Sequence, residues 1–76
     1  MTKTYYVLWK WYEGRRTKWR EYISGVKVDD CDTEYNISEA LMFDTLEQAK
    51  VVKSLVEKIE REEYNILKVE ESEVDA

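Results

Sequence analysis

The chain begins with two segments whose apolar positions favour β-strands. Residues 4–12 are aromatic or β-branched almost throughout, and residues 17–28 alternate between apolar and polar side chains. Residues 13–16 are typical of a turn, and Gly25 is typical of a β-bulge. The pattern therefore predicts an N-terminal β-hairpin.

The pattern changes to a helical period after residue 44. We predict a helix that is capped by Asp44 or Thr45 and ends near Arg61. At about 100° per residue its apolar side chains form one stripe. The stripe contains Leu46, Ala49, Val52, Val56 and Ile59, with Leu55 beside it and Val51 at its margin.

The remaining segments complete an α+β prediction. Residues 29–38 are polar and predict a loop, residues 40–43 a short strand, and residues 66–69 a final strand. Residues 70–76 are acidic, and we expect this tail to fray. The whole chain, residues 1–76, is predicted to be one domain of order β-β-(β)-α-β. We expect a mostly antiparallel sheet of three or four strands with the helix packed on one face.

The length of the hairpin turn decides which aromatic side chains are buried, because a slip of one residue exchanges the two faces. A turn of three or five residues puts Trp9, Trp11 and Trp19 on one face. A turn of two or four residues instead puts Trp9 and Trp11 beside Lys18 and Arg20. We favour the first register, since the helix then covers three indoles and the cations stay in water.

In that register the second sheet face is open and mixes phenols with cations. Tyrosine and arginine contribute much of the energy of protein interfaces, which makes this face a candidate binding surface. Exposed aromatic side chains beside cations also suit stacking on nucleic-acid bases. The candidate residues are Tyr6, Lys10, Tyr12, Lys18, Arg20 and Tyr22.

Charge divides the chain into two unlike parts. The net charge is −5, yet residues 1–28 carry seven basic and two acidic side chains, whereas residues 29–76 carry five and fifteen. Such a division suits two surfaces with different partners: the basic part would bind an anionic partner, and the acidic part would bind a basic groove. The acidic candidates for partner binding are Asp29, Asp30, Asp32, Glu34, Glu62, Glu63 and Glu70.

Composition argues against catalysis and cofactors. The 76 residues include no His and a single Cys, which removes the most common general base and the usual zinc ligand sets. Cys31 lies among aspartates, and these disfavour a reactive thiolate. A calcium loop beginning at Asp30 would place Tyr35 where Gly is required and Leu41 where a bidentate Glu is required. We therefore expect no enzyme activity, no metal and no cofactor.

Cysteine usage and hydropathy also indicate a compartment. The lone Cys31 cannot form an intrachain disulfide, which fits a reducing environment. Apolar runs fall well short of the ~20 residues that span a bilayer. We expect a cytoplasmic protein that does not bind membranes.

Three stretches resemble small accessory proteins of bacteriophages and mobile elements, including anti-CRISPR and other anti-defence inhibitors. They are the Tyr5-Tyr6-Val7-Leu8-Trp9 strand, the Ala40-to-Lys50 helix opening with Phe43 and Thr45, and the segment 64–70. The resemblance implies a compact, non-catalytic protein that binds a host nuclease or another nucleic-acid-binding defence protein.

Three functional hypotheses follow from these observations. The leading one is an inhibitor whose carboxylates mimic phosphates in a basic groove of a host protein. The second is a nucleic-acid-binding module that uses the basic aromatic hairpin, although the negative net charge opposes approach to phosphate. The third is homodimer formation through the open sheet face.

Overall fold

The computed structural model describes residues 2–72. Four strands and one helix follow in the order β-β-β-α-β, with a short 3₁₀ turn at Ile37–Glu39 ahead of the helix. The strands are β1 (Thr2–Glu13), β2 (Lys18–Val26), β3 (Cys31–Glu34) and β4 (Asn65–Ser72), and the helix α1 spans Leu46–Glu60.

The strands form one antiparallel sheet in the order β3-β2-β1-β4, with α1 packed against it. This confirms the predicted α+β fold. The helix begins after Thr45, whose Oγ1 accepts a hydrogen bond from the backbone N–H of Gln48 at 3.2 Å. It ends at Arg61, which adopts the left-handed conformation with a φ of 57°.

The third strand is not where the sequence suggested. β3 lies inside the acidic segment 29–38 that was predicted to be a loop, and residues 40–43 contribute a single bridge between Phe43 and Tyr6. The predicted bulge is confirmed, because the β2–β3 register shifts between Ile23 and Gly25. β4 continues to Ser72, so the prediction of fraying was wrong for residues 70–72, and residues 73–76 lie outside the described residues.

The favoured hairpin register was also wrong. Glu13 pairs with Lys18 and Trp9 with Tyr22, which leaves a turn of four residues, Gly14–Thr17. Trp9 and Trp11 therefore share a face with Lys18 and Arg20, while Leu8 and Trp19 lie on the face that α1 covers.

Aliphatic side chains, not indoles, fill the space beneath the helix. Leu8, Ile23 and Val56 are completely buried there. Cys31 and Tyr64 belong to the same core and are nearly completely buried. Of the predicted stripe, Ala49 and Val56 are buried and Val52 and Ile59 are half-buried against this core. Leu46, Val51 and Leu55 remain exposed.

The opposite sheet face is partly covered by the segment that connects β3 to α1. Ala40 and Ile37 pack there against Tyr5, Val7 and Tyr22. The expectation of one fully open face was therefore wrong. A second, smaller core exists because the connection crosses this face before it reaches the helix.

The connection crosses the sheet through a gap between β1 and β2. Beyond Tyr22 the two strands no longer pair, and the N–H of Leu41 donates to the carbonyl of Ile23 at 2.8 Å. Tyr6 and Phe43 exchange two backbone hydrogen bonds of 2.9 and 2.8 Å. The connecting segment thus supplies hydrogen-bond partners for the backbone groups of β1 and β2 at the gap, and it links the two cores.

Candidate functional site

The β1–β2 hairpin extends beyond the rest of the sheet. β4 pairs with β1 only as far as Trp9, and β3 pairs with β2 only from Tyr22 onward. Residues 10–21, here called the arm, thus form a two-stranded ribbon. The arm carries five basic and two acidic side chains, a local charge of +3 in a chain whose net charge is −5.

One face of the arm presents alternating indoles and cations. The guanidinium of Arg20 lies 4.4 Å from the ring centroid of Trp9 and 5.3 Å from that of Trp11, and the Lys18 ammonium lies 4.6 Å from Trp11. The two indoles pack edge to face with centroids 5.2 Å apart. We call these four residues the ladder. Trp11 is 46% exposed, so the ladder is ordered by its own contacts and still accessible.

The other face of the arm carries a second aromatic row. Tyr12 stacks on Trp19 at 4.6 Å, and Trp19 packs edge to face on Tyr35 at 5.9 Å. Gly14 permits this arrangement, because a Cβ at that position would lie 3.1 Å from the Trp19 ring. The turn therefore folds closely over Trp19, whose indole N–H is buried without a hydrogen-bond partner among residues 2–72.

A polar cluster joins the arm to the rest of the molecule. Lys10 forms an ion pair with Glu62 and lies over the ring of Tyr64. Burial lowers the pKa of Lys10, but Glu62 and Tyr64 outweigh it, so that the pKa is raised and the ammonium stays charged. The Glu57 carboxylate accepts the backbone N–H of Tyr64 at 2.9 Å, which lowers the pKa of Glu57 and positions the start of β4.

The predicted open-face residues do not share one face. Tyr6, Lys10 and Tyr12 lie on the helix side of the sheet, whereas Lys18, Arg20 and Tyr22 lie on the other. Tyr22 is also buried, in the smaller core. Sequence reasoning missed Trp9 and Trp11 as surface residues. The four-residue turn was the signal, since that register places both indoles opposite cations.

The acidic candidates are divided between the two ends of the sheet. Asp29 and Asp30 form the β2–β3 turn, at the same end as Glu70 near the close of β4. Glu62 and Glu63 lie at the opposite end, beside the arm. Asp32 and Glu34 are exposed on β3 at the edge of the sheet.

Several of these carboxylates already have partners. Asp32 lies 3.7 Å from the ammonium of Lys27, Glu70 lies 3.3 Å from Lys68, and Asp30 accepts the backbone N–H of Cys31 at 2.8 Å. The exposed turn at Asp29 and Asp30 sits beside Val28, which is 97% exposed. Asp29 and Asp30 are both exposed, and Asp30 is held in this turn by its hydrogen bond from Cys31.

The buried cysteine lies among groups that keep it protonated. Burial, and then the charges of Glu60 and Asp30, raise the pKa of Cys31, so the thiolate that nucleophilic chemistry requires is disfavoured. Within residues 2–72, no three metal-ligating side chains come together in a cluster. The helix of this same part of the chain is too short and too polar to cross a membrane.

Comparison with known families, curated proteins and solved structures gives no match for this chain.

Proposed function

We propose that this chain is a non-enzymatic protein-binding module whose recognition surface is the ladder. The observation that carries the proposal is the packing of Trp9, Trp11, Lys18 and Arg20 on one accessible face of the arm. Tryptophan and arginine dominate interface hot spots. Because their side chains already hold each other in place, binding loses less conformational entropy.

The ladder suits an acidic protein surface better than it suits bases. Arg20 stacks across both indoles, so part of their ring surface is already occupied and less remains for a base. A guanidinium stacked in this way keeps its N–H groups free at its edge, where they can donate two hydrogen bonds to a carboxylate. The partner is therefore a protein whose surface presents Asp or Glu beside apolar contacts.

The test compares two variants of the arm in capture from a nuclease-treated bacterial lysate. Trp11→Ala removes the central member of the ladder, and Arg16→Ala removes a cation from the exposed turn without changing the ladder. We expect a protein that is retained by the wild type and by Arg16→Ala but lost with Trp11→Ala. The same set of proteins with all three baits would contradict the proposal.

A titration with single-stranded DNA separates protein binding from nucleic-acid binding. We expect unchanged tryptophan emission at low salt, since the ladder indoles are shielded by cations. A strong change that disappears with Trp11→Ala would assign the ladder to bases instead.

A second candidate function, which the sequence predicted, is inhibition of a nucleic-acid-binding host protein. The exposed Asp29-Asp30 turn favours it, because it presents carboxylates at the end of the sheet opposite the arm. The double variant Asp29→Asn/Asp30→Asn should then lose a captured basic protein, and the loss should be larger at low salt than at high salt. Capture that is insensitive to both substitutions would remove this candidate.

A further inference from the structure

β4 pairs with one edge of β1 only from Thr2 to Trp9, so the same edge is free of β4 along residues 10–13. Tyr6 bonds to Phe43 on the β2 side of β1, and the backbone groups of successive residues in a strand point to alternate sides. The N–H and C=O groups of Trp11 and Glu13 therefore point away from β2, to the side where β4 has ended. No described residue of the sheet pairs with them there.

A groove of about 500 Å³ lies along this free edge. Its floor is the β1 segment from Lys10 to Glu13, and Glu62, Glu63 and Asn65 close its other side. Trp11 and Tyr12 project to opposite sides of β1, and each is 46% exposed. We call this site the edge groove. It combines an unpaired backbone with aromatic side chains on both sides of the strand.

The charges around the edge groove are mostly negative. Three carboxylates line it, from Glu13, Glu62 and Glu63, against the single cation of Lys10, which already pairs with Glu62. Glu13 has only a distant and exposed partner, Lys18 at 3.8 Å, and such pairs contribute little. The groove therefore favours a positively charged occupant.

We propose that the edge groove binds an extended basic segment of a partner protein by β-strand addition beside residues 10–13. The backbone of the segment would pair with Trp11 and Glu13. Alternate side chains would contact Trp11 and Glu13 on one side of the strand, and Tyr12 with the carboxylates of Glu62 and Glu63 on the other. The edge groove shares Trp11 with the ladder, but it takes a partner of opposite charge through the edge of the strand. Basic segments are typical of nucleic-acid-binding proteins, so the edge groove offers that class a defined contact.

The test measures amide hydrogen exchange with a synthetic peptide of about ten residues in which Lys and Val alternate. We expect exchange at Trp11 and Glu13 to slow by about tenfold when the peptide binds, because both amides become hydrogen-bonded. A peptide of alternating Glu and Val should leave both amides unchanged. Binding without protection of these amides, equal binding of the acidic peptide, or no binding would each overturn the proposal.

Two substitutions at one position separate backbone pairing from charge. Glu13→Pro removes the N–H that points into the groove and leaves pairing with β2 intact, since that amide does not face β2. Glu13→Gln removes only the charge. We expect the peptide affinity to fall about tenfold or more with Glu13→Pro and about twofold with Glu13→Gln. Equal losses would overturn strand addition, and should Glu13→Pro not fold, the amide measurement on the wild type decides alone.

Discussion

The body of the sheet and the arm are built from the same two strands but are stabilised differently. In the body, Leu8 and Ile23 are fully buried under α1, and the 37–40 segment covers part of the opposite face. In the arm, neither a helix nor a third strand of the described residues pairs with the ribbon, and its contacts are those between cations and aromatic rings, between the rings of Tyr12, Trp19 and Tyr35, and between Lys10 and Glu62. The two regions meet at Trp9 and Tyr22, where pairing with β4 and β3 ends.

The difference indicates where recognition can occur. Neither core contains a residue of the arm, so the exposed aromatic side chains of the arm, Trp11 and Tyr12, are available for contacts with a partner. Cation–π contacts allow Trp11 to remain half-exposed and ordered, whereas an aliphatic residue in that position would present only apolar surface.

The largest expected effect comes from the body. Leu8→Ala should lower the free energy of unfolding by about 3 kcal/mol, since it removes a fully buried side chain and leaves a cavity. Trp11→Ala should cost only about 1 kcal/mol, because the indole is half-exposed and no enclosed cavity forms. Urea unfolding followed by far-UV circular dichroism measures both. Equal losses would mean that the arm belongs to the folding core.

The same substitution in the two regions should have unequal effects. Thr45→Ala removes the N-cap of α1, whose Oγ1 accepts the N–H of Gln48, and should cost about 1 kcal/mol. Thr17→Ala, in the exposed turn of the arm, should change stability by less than about 0.5 kcal/mol. Thermal unfolding of the two variants side by side provides the check. A larger loss for Thr17→Ala would show that the turn governs the stability of the hairpin.

The sequence predicted the body better than the arm, for a physical reason. Helical periodicity and the capping threonine identify α1 nearly to the residue, because both signals are local. The hairpin register depends instead on turn length, and the observed four-residue turn brings Gly14 close to the Trp19 ring. Placing all three indoles inside assumed that indoles favour burial and cations favour water, yet Lys18 and Arg20 lie over the partly exposed rings of Trp9 and Trp11.

The β3 strand illustrates the same limit. Residues 31–34 alternate a buried Cys31 and a half-buried Thr33 with exposed acids, which is a strand pattern too short and too polar to recognise locally. Its position is determined by pairing with β2 across the bulge. The split of the predicted open face followed instead from the hairpin register, for which the sequence left two alternatives open.

A smaller effect is expected within the ladder. Arg20→Ala removes contacts with two indoles and should lower the free energy of unfolding by about 0.5–1 kcal/mol. Arg16→Ala, which removes the same charge from the turn, should leave stability within about 0.5 kcal/mol of the wild type. Denaturant titration of Arg20→Ala and Arg16→Ala measures the difference between their free energies of unfolding. Identical values for the two variants would indicate that the ladder contributes through net charge and not through stacking.

The smallest effect concerns the contact between α1 and the start of β4, where Lys10 of the arm lies over the ring of Tyr64, and it depends on pH. The pKa of Glu57 is lowered by the hydrogen bond from the Tyr64 N–H and by Lys53 at 3.2 Å, against the opposing effect of burial. Because the folded state binds this proton less readily than the unfolded state, the stabilisation is fully present above the ordinary pKa of a glutamate. It is lost as the pH falls through the lowered, folded-state value.

Glu57→Gln isolates this contribution, since the amide oxygen can still accept the Tyr64 N–H while the charge is removed. The variant should be less stable than the wild type at neutral pH, and the difference should shrink as the pH falls below the ordinary pKa of a glutamate and through the lowered folded-state value. Glu47→Gln, in the first turn of α1, is the matched control, because that carboxylate lies away from the start of β4. A gap for Glu57→Gln that persists unchanged in acid would mean that its cost comes from altered packing and not from the charge that holds α1 to the start of β4.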